Sequence, residues 1–133
     1  MTVPTPHIAT VLIVDDDPVI AMMYGLGIER AGYRVLEAKD GQTGLELASS
    51  AHPDLILLDV RMPGLDGIEV LTRLSADGAT RGIPVVMLSN YSGAAIVNRA
   101  LSLGAKEYLV KVGTTPAEVA AVVARWIDTS GKS

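Results

Sequence analysis

The chain has 133 residues, of which 49% are hydrophobic and 20% are charged, with a formal net charge of −4 and no cysteine. This length fits one domain, and the composition is that of a globular protein rather than a disordered or fibrous one. The lack of cysteine excludes disulfides, zinc–thiolate sites, iron–sulfur clusters and thiolate nucleophiles, and the acidic balance argues against direct binding of nucleic acid.

The ends of the chain carry no sign of membrane targeting. No uncharged run is long enough to span a bilayer, and the first seven residues lack the basic start of a secretory signal. We therefore expect a cytoplasmic protein without membrane contact. A single domain with a core of about 8–128 is predicted, with loose tails at 1–7 and 129–133 because these segments offer little to bury.

The first predicted strand is residues 8–14, a continuous apolar run that stops at an aspartate. Such runs are typical of strands buried on both faces of a sheet. A helix is predicted next, over residues 18–31. Asp17 offers its N-cap, Pro18 suits the first helical turn, and Gly32 is a suitable residue to end it.

The same alternation continues through the middle of the chain. A weaker strand is predicted at 33–37, followed by a helix at 41–51. A second buried strand is predicted at 54–58, where the sequence is again a short apolar run. The next helix, 66–77, begins with the capping-box pattern Asp66 to Glu69.

The last third of the chain contains two more strands and two more helices. A buried strand is predicted at 83–88 and a weaker one at 106–110, with a helix at 92–103 between them. The final helix, 116–128, follows a second capping box, Thr115 to Glu118. The alternation of strands and helices predicts an α/β fold, a doubly wound parallel sheet of five strands with five helices.

Chemically useful side chains stand where the predicted strands end. Asp15 and Asp16 follow the first strand, Asp59 the third, Ser89 the fourth and Lys111 the fifth. Ligands of doubly wound sheets bind outside these carboxyl ends. Each residue alone also fits a plain role, such as a helix cap or a solvated surface group. Only the combination indicates a site.

The types of these side chains indicate metal-assisted phosphoryl chemistry. Converging carboxylates repel one another, so they have raised pKa values or bind a cation. Oxygen donors without histidine or cysteine favour Mg²⁺. A hydroxyl and a lysine ammonium are what the remaining oxygens of a phosphoryl group require. One carboxylate can then act as the nucleophile and become an aspartyl phosphate.

Four segments together resemble the receiver domains of two-component response regulators. They are VLIVDDDP (11–18), LILLDVRMPGLDG (55–67), VVMLSN (85–90) and GAKEYLVK (104–111). The resemblance covers nearly the whole chain. It implies a flavodoxin-like sheet of strand order 2-1-3-4-5. It also implies that Asp59 accepts a phosphoryl group from a phosphohistidine of a sensor histidine kinase or phosphotransfer protein.

The resemblance also implies a role for each residue at the metal site. Asp16 and Asp59 would bind Mg²⁺ directly, together with the backbone carbonyl of Arg61, while Asp15 would act mainly through water. The family is a phosphorylatable signalling switch rather than an enzyme with a separate substrate. We therefore expect Mg²⁺ as the cofactor and Asp59 as the phosphoacceptor.

The resemblance further assigns residues that would bind the phosphoryl group, move in response to it and slow its hydrolysis. Lys111 would pair with the phosphate, Ser89 would hydrogen-bond it and move inward, and Tyr108 would follow as the aromatic switch. Arg61 and Tyr91 occupy the positions that flank the approach of hydrolytic water in this family. Since both side chains are large, we expect slow loss of the phosphoryl group.

Two positions depart from the usual pattern of the family. Val112 follows the lysine where proline in a cis peptide is usual, and Asn90 stands where a small residue is more common. A cis bond before a residue other than proline costs about 3–4 kcal/mol. A trans Lys111–Val112 bond is therefore the cheaper conformation, and Asn90 is expected to narrow or polarise the loop behind Ser89.

Three other functions compete with the receiver hypothesis. The segment from Asp15 also matches the DxDx[TV] motif of haloacid-dehalogenase-type phosphatases, with Asp15 as nucleophile, Asp17 as acid/base, and Ser89 and Lys111 in support. That reading leaves Asp59 unexplained. An interaction module without the chemistry conflicts with the complete acidic set. A flavin site would need a loop rich in Ser, Thr or Gly in place of three aspartates.

Two surfaces are predicted to contact partners. Helices 92–103 and 116–128 carry more apolar and alanine surface than one buried stripe requires, which favours a homodimer or an effector contact there. Met22, Met23 and Tyr24 are predicted to form an adaptable apolar patch for the kinase. The sequence holds no output domain, so the chain itself is expected to act without binding DNA.

Overall fold

A computed structural model describes residues 8–130 of the chain and contains one parallel sheet of five strands, in the order β2-β1-β3-β4-β5. This architecture confirms the predicted doubly wound sheet and its strand order. The five strands are β1 Thr10–Val14, β2 Arg34–Ala38, β3 Leu55–Leu58, β4 Val85–Ser89 and β5 Glu107–Val110.

Five helices alternate with the strands, as the sequence predicts. They are α1 Pro18–Arg30, α2 Gly41–Ala51, α3 Gly67–Ala76, α4 Ala94–Ser102 and α5 Pro116–Ser130. The predicted caps form: Asp17 accepts from the backbone N–H groups of Val19 and Ile20, and Asp66 accepts from Glu69 N–H. Thr115 and Glu118 form the reciprocal capping box at the start of α5.

The sheet has an apolar core on each of its two faces because successive side chains of a strand point to opposite sides. Leu12, Ile56 and Met87 face the core that contains buried residues of α2, α3 and α4. Ile13 and Leu57 face the other core, with buried residues of α1 and α5. The central strands β1, β3 and β4 are therefore buried on both faces, as their apolar runs predict.

The ends of the elements differ from prediction by at most two residues. Strand β4 begins at Val85 rather than at residue 83, since Pro84 has no N–H to donate to the ladder. Helix α4 begins at Ala94 rather than 92, without a side-chain cap. Helix α5 continues to Ser130, two residues beyond its predicted end at residue 128. The predicted tail segments 1–7 and 131–133 lie outside the described residues.

Within residues 8–130, none of the helices combines the length and the apolarity that crossing a membrane requires.

Candidate functional site

Four site residues, Asp15, Asp59, Ser89 and Lys111, stand at the carboxyl edge of the sheet because each is the first residue beyond a strand or the last residue within one. The N–H of Asp15 donates to Ala38 O at 3.0 Å, and the N–H of Asp59 donates to Val14 O at 3.0 Å. The N–H of Lys111 donates to Ser89 O at 3.1 Å. These hydrogen bonds tie the ends of neighbouring strands together. The sheet therefore fixes the backbone position from which each of these side chains extends.

Three carboxylates meet at this edge, between β1 and β3. One oxygen from each of Asp15, Asp16 and Asp59 lies within 4.8 Å of the others. Asp15 and Asp59 are buried, with 4% and 6% of their surface exposed, while Asp16 is exposed. The cluster is thus open to solvent on the side of Asp16, where an ion with its own waters can enter.

Lys111 joins the two buried carboxylates. Its Nζ lies 2.7 Å from Asp15 Oδ2 and 3.1 Å from Asp59 Oδ2. Burial lowers the pKa of Lys111, but the hydrogen bond to Asp15 and the charges of Asp59 and Asp15 outweigh it and raise the pKa above its ordinary value. Burial raises the pKa of Asp15 despite its hydrogen bonds from Lys111 and Asp17.

The remaining oxygens of the buried carboxylates are held by backbone N–H groups. Asp15 Oδ1 accepts from Asp17 N–H at 2.9 Å, and Asp59 Oδ1 accepts from Val60 N–H at 2.8 Å. The loop after β3 is held in turn by Gly67, whose N–H donates to Val60 O at 2.7 Å. A Cβ on Gly67 would overlap the Asp59 carbonyl oxygen, so only glycine allows this close approach.

Ser89 and two tyrosines form the other side of the site. Ser89 is buried, and its Oγ accepts from the Tyr91 N–H at 3.1 Å. The Tyr108 hydroxyl donates to the backbone carbonyl of Tyr91. Burial raises the pKa of the Tyr108 hydroxyl above its ordinary value. The backbone of Tyr91 thus connects the buried serine with the ring of Tyr108.

A cleft of about 140 Å³ opens above the reactive groups. It is lined by Asp59, Arg61, Ser89, Asn90, Tyr91 and Lys111. At its rim the guanidinium carbon of Arg61 lies 4.2 Å from the centroid of the Tyr91 ring. A second cavity of about 410 Å³ is lined by residues such as Leu74, Thr80 and Leu103, and no carboxylate lines it. Of these two cavities, the cleft at the carboxyl edge is the one that is lined by a carboxylate together with a lysine.

Two features of the loop after β5 were not predicted from the sequence. Tyr24 is 1% exposed, and its hydroxyl donates to Lys111 O at 3.3 Å and to Thr114 O at 2.9 Å. The prediction that Tyr24 belongs to an exposed patch is therefore wrong. The second feature is a hydrogen bond from Val112 N–H to Asn90 Oδ1 at 2.9 Å. The Lys111–Val112 peptide is trans, the conformation that costs less before valine.

The donor set fits a hard divalent cation. All three groups are carboxylates, and no histidine or cysteine joins them among the described residues. Lys111 supplies one positive charge against three carboxyl groups, which leaves an excess of negative charge. A small ion that uses one or two carboxylates and retains waters, as Mg²⁺ does, meets both requirements.

Comparison with known proteins agrees with the geometry. Residues 11–123 match the family model described as the response regulator receiver domain. The chain is 35% identical over 103 residues to Protein PilH of Pseudomonas aeruginosa, which covers 77% of this chain and 85% of PilH. A receiver domain protein (CheY-like) of Methanospirillum hungatei superposes with a TM-score of 0.88 at 25% identity, over 95% of this chain and 98% of that one.

Longer proteins match as well. The DNA-binding dual master transcriptional regulator RpaA of a Synechocystis strain is 40% identical over 115 residues, which is 86% of this chain and 46% of RpaA. The chain therefore spans about half the length of this longer relative.

Proposed function

The chain belongs to the response regulator receiver domain family, whose members act as signalling switches, and from this premise we propose that Asp59 is its phosphoacceptor. The donor is a phosphohistidine on a sensor histidine kinase or a phosphotransfer protein of the cytoplasm. The contact between Lys111 Nζ and Asp59 Oδ2, at 3.1 Å beside the carboxylate cluster, is the observation that carries this proposal.

In the proposed reaction a carboxylate oxygen of Asp59 attacks the phosphorus. The bond between phosphorus and the histidine nitrogen breaks, and its electron pair stays on the ring nitrogen, which takes up a proton. Lys111 is placed to meet the negative charge that arrives with the phosphoryl oxygens. Positioning and charge neutralisation of this kind account for most of the catalysis of phosphoryl transfer.

Mg²⁺ is the proposed cofactor, with Asp16, Asp59 and the backbone carbonyl of Arg61 as its ligands and Asp15 acting mainly through water. When bound, the ion supplies positive charge that offsets the carboxylates and the phosphoryl oxygens. The three carboxylates within 4.8 Å of one another support this ligand set.

Ser89 and Tyr108 are proposed to convert phosphorylation into a change of surface. Ser89 would turn its hydroxyl towards the phosphoryl group, and Tyr108 would follow it inward. Both side chains bond to the backbone of Tyr91: Ser89 Oγ accepts from its N–H, and the Tyr108 hydroxyl donates to its carbonyl. This shared partner supports a coupled movement of the two.

Helices α4 and α5 are the proposed surface for a homodimer or an effector. Ala94, Ala95 and Leu101 of α4 are exposed, as is Ala121 of α5. The proposed kinase contact lies on α1 instead. There Met22 and Met23 are 55% and 41% exposed. This exposure supports the assignment of these two methionines to the predicted apolar patch.

The proposal is tested by incubating the protein with a small acyl phosphate and Mg²⁺ and measuring bound phosphoryl group. We expect incorporation into the unsubstituted chain and none into Asp59→Asn. Asp17→Asn is the matched control, because asparagine also caps helices well and Asp17 lies outside the proposed ligand set. Unchanged incorporation into Asp59→Asn would overturn the proposal.

A further inference from the structure

Two successive N–H groups after β5 donate to the segment at the end of β4, the second of them to a side chain. The N–H of Lys111 donates to the backbone carbonyl of Ser89 at 3.1 Å. The next N–H, that of Val112, donates at 2.9 Å to the side-chain Oδ1 of Asn90. Asn90 directly follows Ser89, so its carboxamide adds a side-chain hydrogen bond between the two segments just beyond the point where the regular pairing of β4 and β5 ends.

This bond fixes the peptide unit that joins Lys111 to Val112. A peptide unit is planar, so its orientation is set once its carbonyl and its N–H both have partners. The carbonyl accepts from the Tyr24 hydroxyl at 3.3 Å and from the Thr114 N–H at 3.2 Å. Asn90 is the partner on the N–H side, and it approaches from β4 while Tyr24 approaches from α1.

The two residues act as a pair. Proline at position 112 would have no N–H to donate, whereas valine has one. A residue without a side-chain acceptor at position 90 would leave that N–H to solvent, since Val112 is 77% exposed. Val112 and Asn90 together therefore provide a link between two loops that neither residue provides alone.

We propose that Asn90 is a positioning residue for phosphoryl transfer, which holds the backbone of Lys111 so that its ammonium stays between Asp15 and Asp59. This inference rests on the proposed function. Lys111 has a long side chain with four rotatable bonds, so the position of Nζ depends on a fixed backbone at its base. Small misplacements of a charge that stabilises phosphoryl transfer reduce the rate.

The experiment measures the rate of Asp59 phosphorylation by a small acyl phosphate in Mg²⁺, in the unsubstituted chain and in Asn90→Ala. We expect Asn90→Ala to slow the reaction by roughly three- to tenfold, because loss of positioning costs rate without removing a reacting group. Gln42→Ala is the control: it also removes an exposed carboxamide, from α2, away from the cleft and from the proposed partner surfaces, and it should leave the rate unchanged.

A second comparison distinguishes two explanations of a slower rate in Asn90→Ala: loss of the position of Lys111, and a general widening of the cleft. If Asn90 acts through Lys111, its replacement has no further effect once the ammonium is gone, so Lys111→Ala and the double variant should react at the same rate. An equal slowing by Asn90→Ala with and without Lys111 would overturn the inference. An unchanged rate in Asn90→Ala alone would overturn it as well.

Hydrogen exchange at the Val112 amide gives a readout that does not depend on the reaction. We expect the amide to be protected in the unsubstituted chain and to exchange faster in Asn90→Ala, with the Lys111 ammonium resonance shifted. Equal exchange in both proteins would contradict the proposed bond. A failure to phosphorylate the unsubstituted chain would instead contradict the proposed function, and this inference with it.

Discussion

The guanidinium of Arg61 stacks on the ring of Tyr91, with 4.2 Å between the guanidinium carbon and the ring centroid. Both side chains line the cleft that contains Asp59. They come from different loops, one after β3 and one after β4. Their contact therefore lies at the rim of that cleft, and under the proposed function it would flank the path of water to a phosphoryl group on Asp59.

The first prediction concerns the lifetime of that phosphoryl group. A cation–π contact at an exposed site contributes about 0.5–1 kcal/mol, so opening this one should speed hydrolysis about two- to fivefold. We expect the double variant Arg61→Asn, Tyr91→Glu to lose its phosphoryl group faster than the unsubstituted chain, measured as decay after the donor is removed.

Lys106→Gln provides the control for the lifetime measurement. Lys106 lies over the Trp126 ring, 5.9 Å from its centroid, and does not line the cleft with Asp59. This substitution removes a cation–π contact elsewhere and should leave the decay unchanged. If the double variant lost its phosphoryl group as slowly as the unsubstituted chain, access of water past Arg61 and Tyr91 would not set the rate of hydrolysis.

A second prediction concerns metal binding in the absence of phosphoryl donor. An ion that binds only the native state adds ~2.7 kcal/mol to the free energy of unfolding at about 100 times its dissociation constant. We expect Mg²⁺ to raise the melting temperature of the unsubstituted chain and not that of Asp16→Asn. Asp17→Asn should retain the full increase. A melting temperature indifferent to millimolar Mg²⁺ would contradict a formed metal site.

A third prediction concerns the glycine behind the phosphoacceptor. A Cβ on Gly67 would lie 2.8 Å from Val60 Cα as well as overlapping the Asp59 carbonyl. Gly67→Ala should therefore lower the free energy of unfolding by about 1–3 kcal/mol, since overpacking forces backbone shifts. It should also slow phosphorylation. A Cβ on Gly78 meets open space, so Gly78→Ala should change neither quantity; equal effects of the two substitutions would refute this account of Gly67.

A fourth prediction uses the buried tyrosine under the lysine loop. Burial raises the pKa of Tyr24 above its ordinary value of 10.0. Between that value and the raised one, the unfolded chain loses the phenolic proton while the folded chain keeps it, so the free energy of unfolding falls as the pH rises.

Tyr24→Phe tests this assignment by chemical denaturation at two pH values. At neutral pH it should lower the free energy of unfolding by about 0.5–1.5 kcal/mol, since the one hydrogen bond that the hydroxyl shares between Lys111 O and Thr114 O is lost. Above pH 10 the unsubstituted chain should lose more stability than the variant does, because phenylalanine does not titrate. Parallel losses in both proteins would show that Tyr24 does not contribute to the alkaline decline.

The sequence predicts the elements that have strong local signals. The apolar runs of β1, β3 and β4 and the caps at Asp17, Asp66 and Thr115 depend on neighbouring residues only, and all of them form. The convergence of Asp15, Asp16 and Asp59 also follows, because parallel strands bring their carboxyl ends to one edge. The bounds of every helix except α2 shift by one or two residues at one end or both, where local signals are weakest.

Contacts between distant segments were not predictable in the same way. Tyr24 is buried in the core between the sheet and helices α1 and α5, and its hydroxyl reaches the loop after β5, 87 residues further along the chain. Local periodicity does not report such a contact. The bond between Asn90 and Val112 spans 22 residues and depends on the register of β4 and β5. The two unusual residues were visible in the sequence, but their pairing appears only when both loops are placed together.

Locating the phosphoryl group in the phosphorylated chain tests the central claim most directly. Trypsin separates the candidates, because cleavage after Lys39 and Arg61 yields residues 40–61 with Asp59, while Asp15, Asp16 and Asp17 remain within residues 1–30. Mass spectrometry with fragmentation should find the phosphoryl mass on residues 40–61 and assign it to Asp59. A phosphoryl group on residues 1–30, at Asp15, would contradict the account and favour the phosphatase chemistry instead.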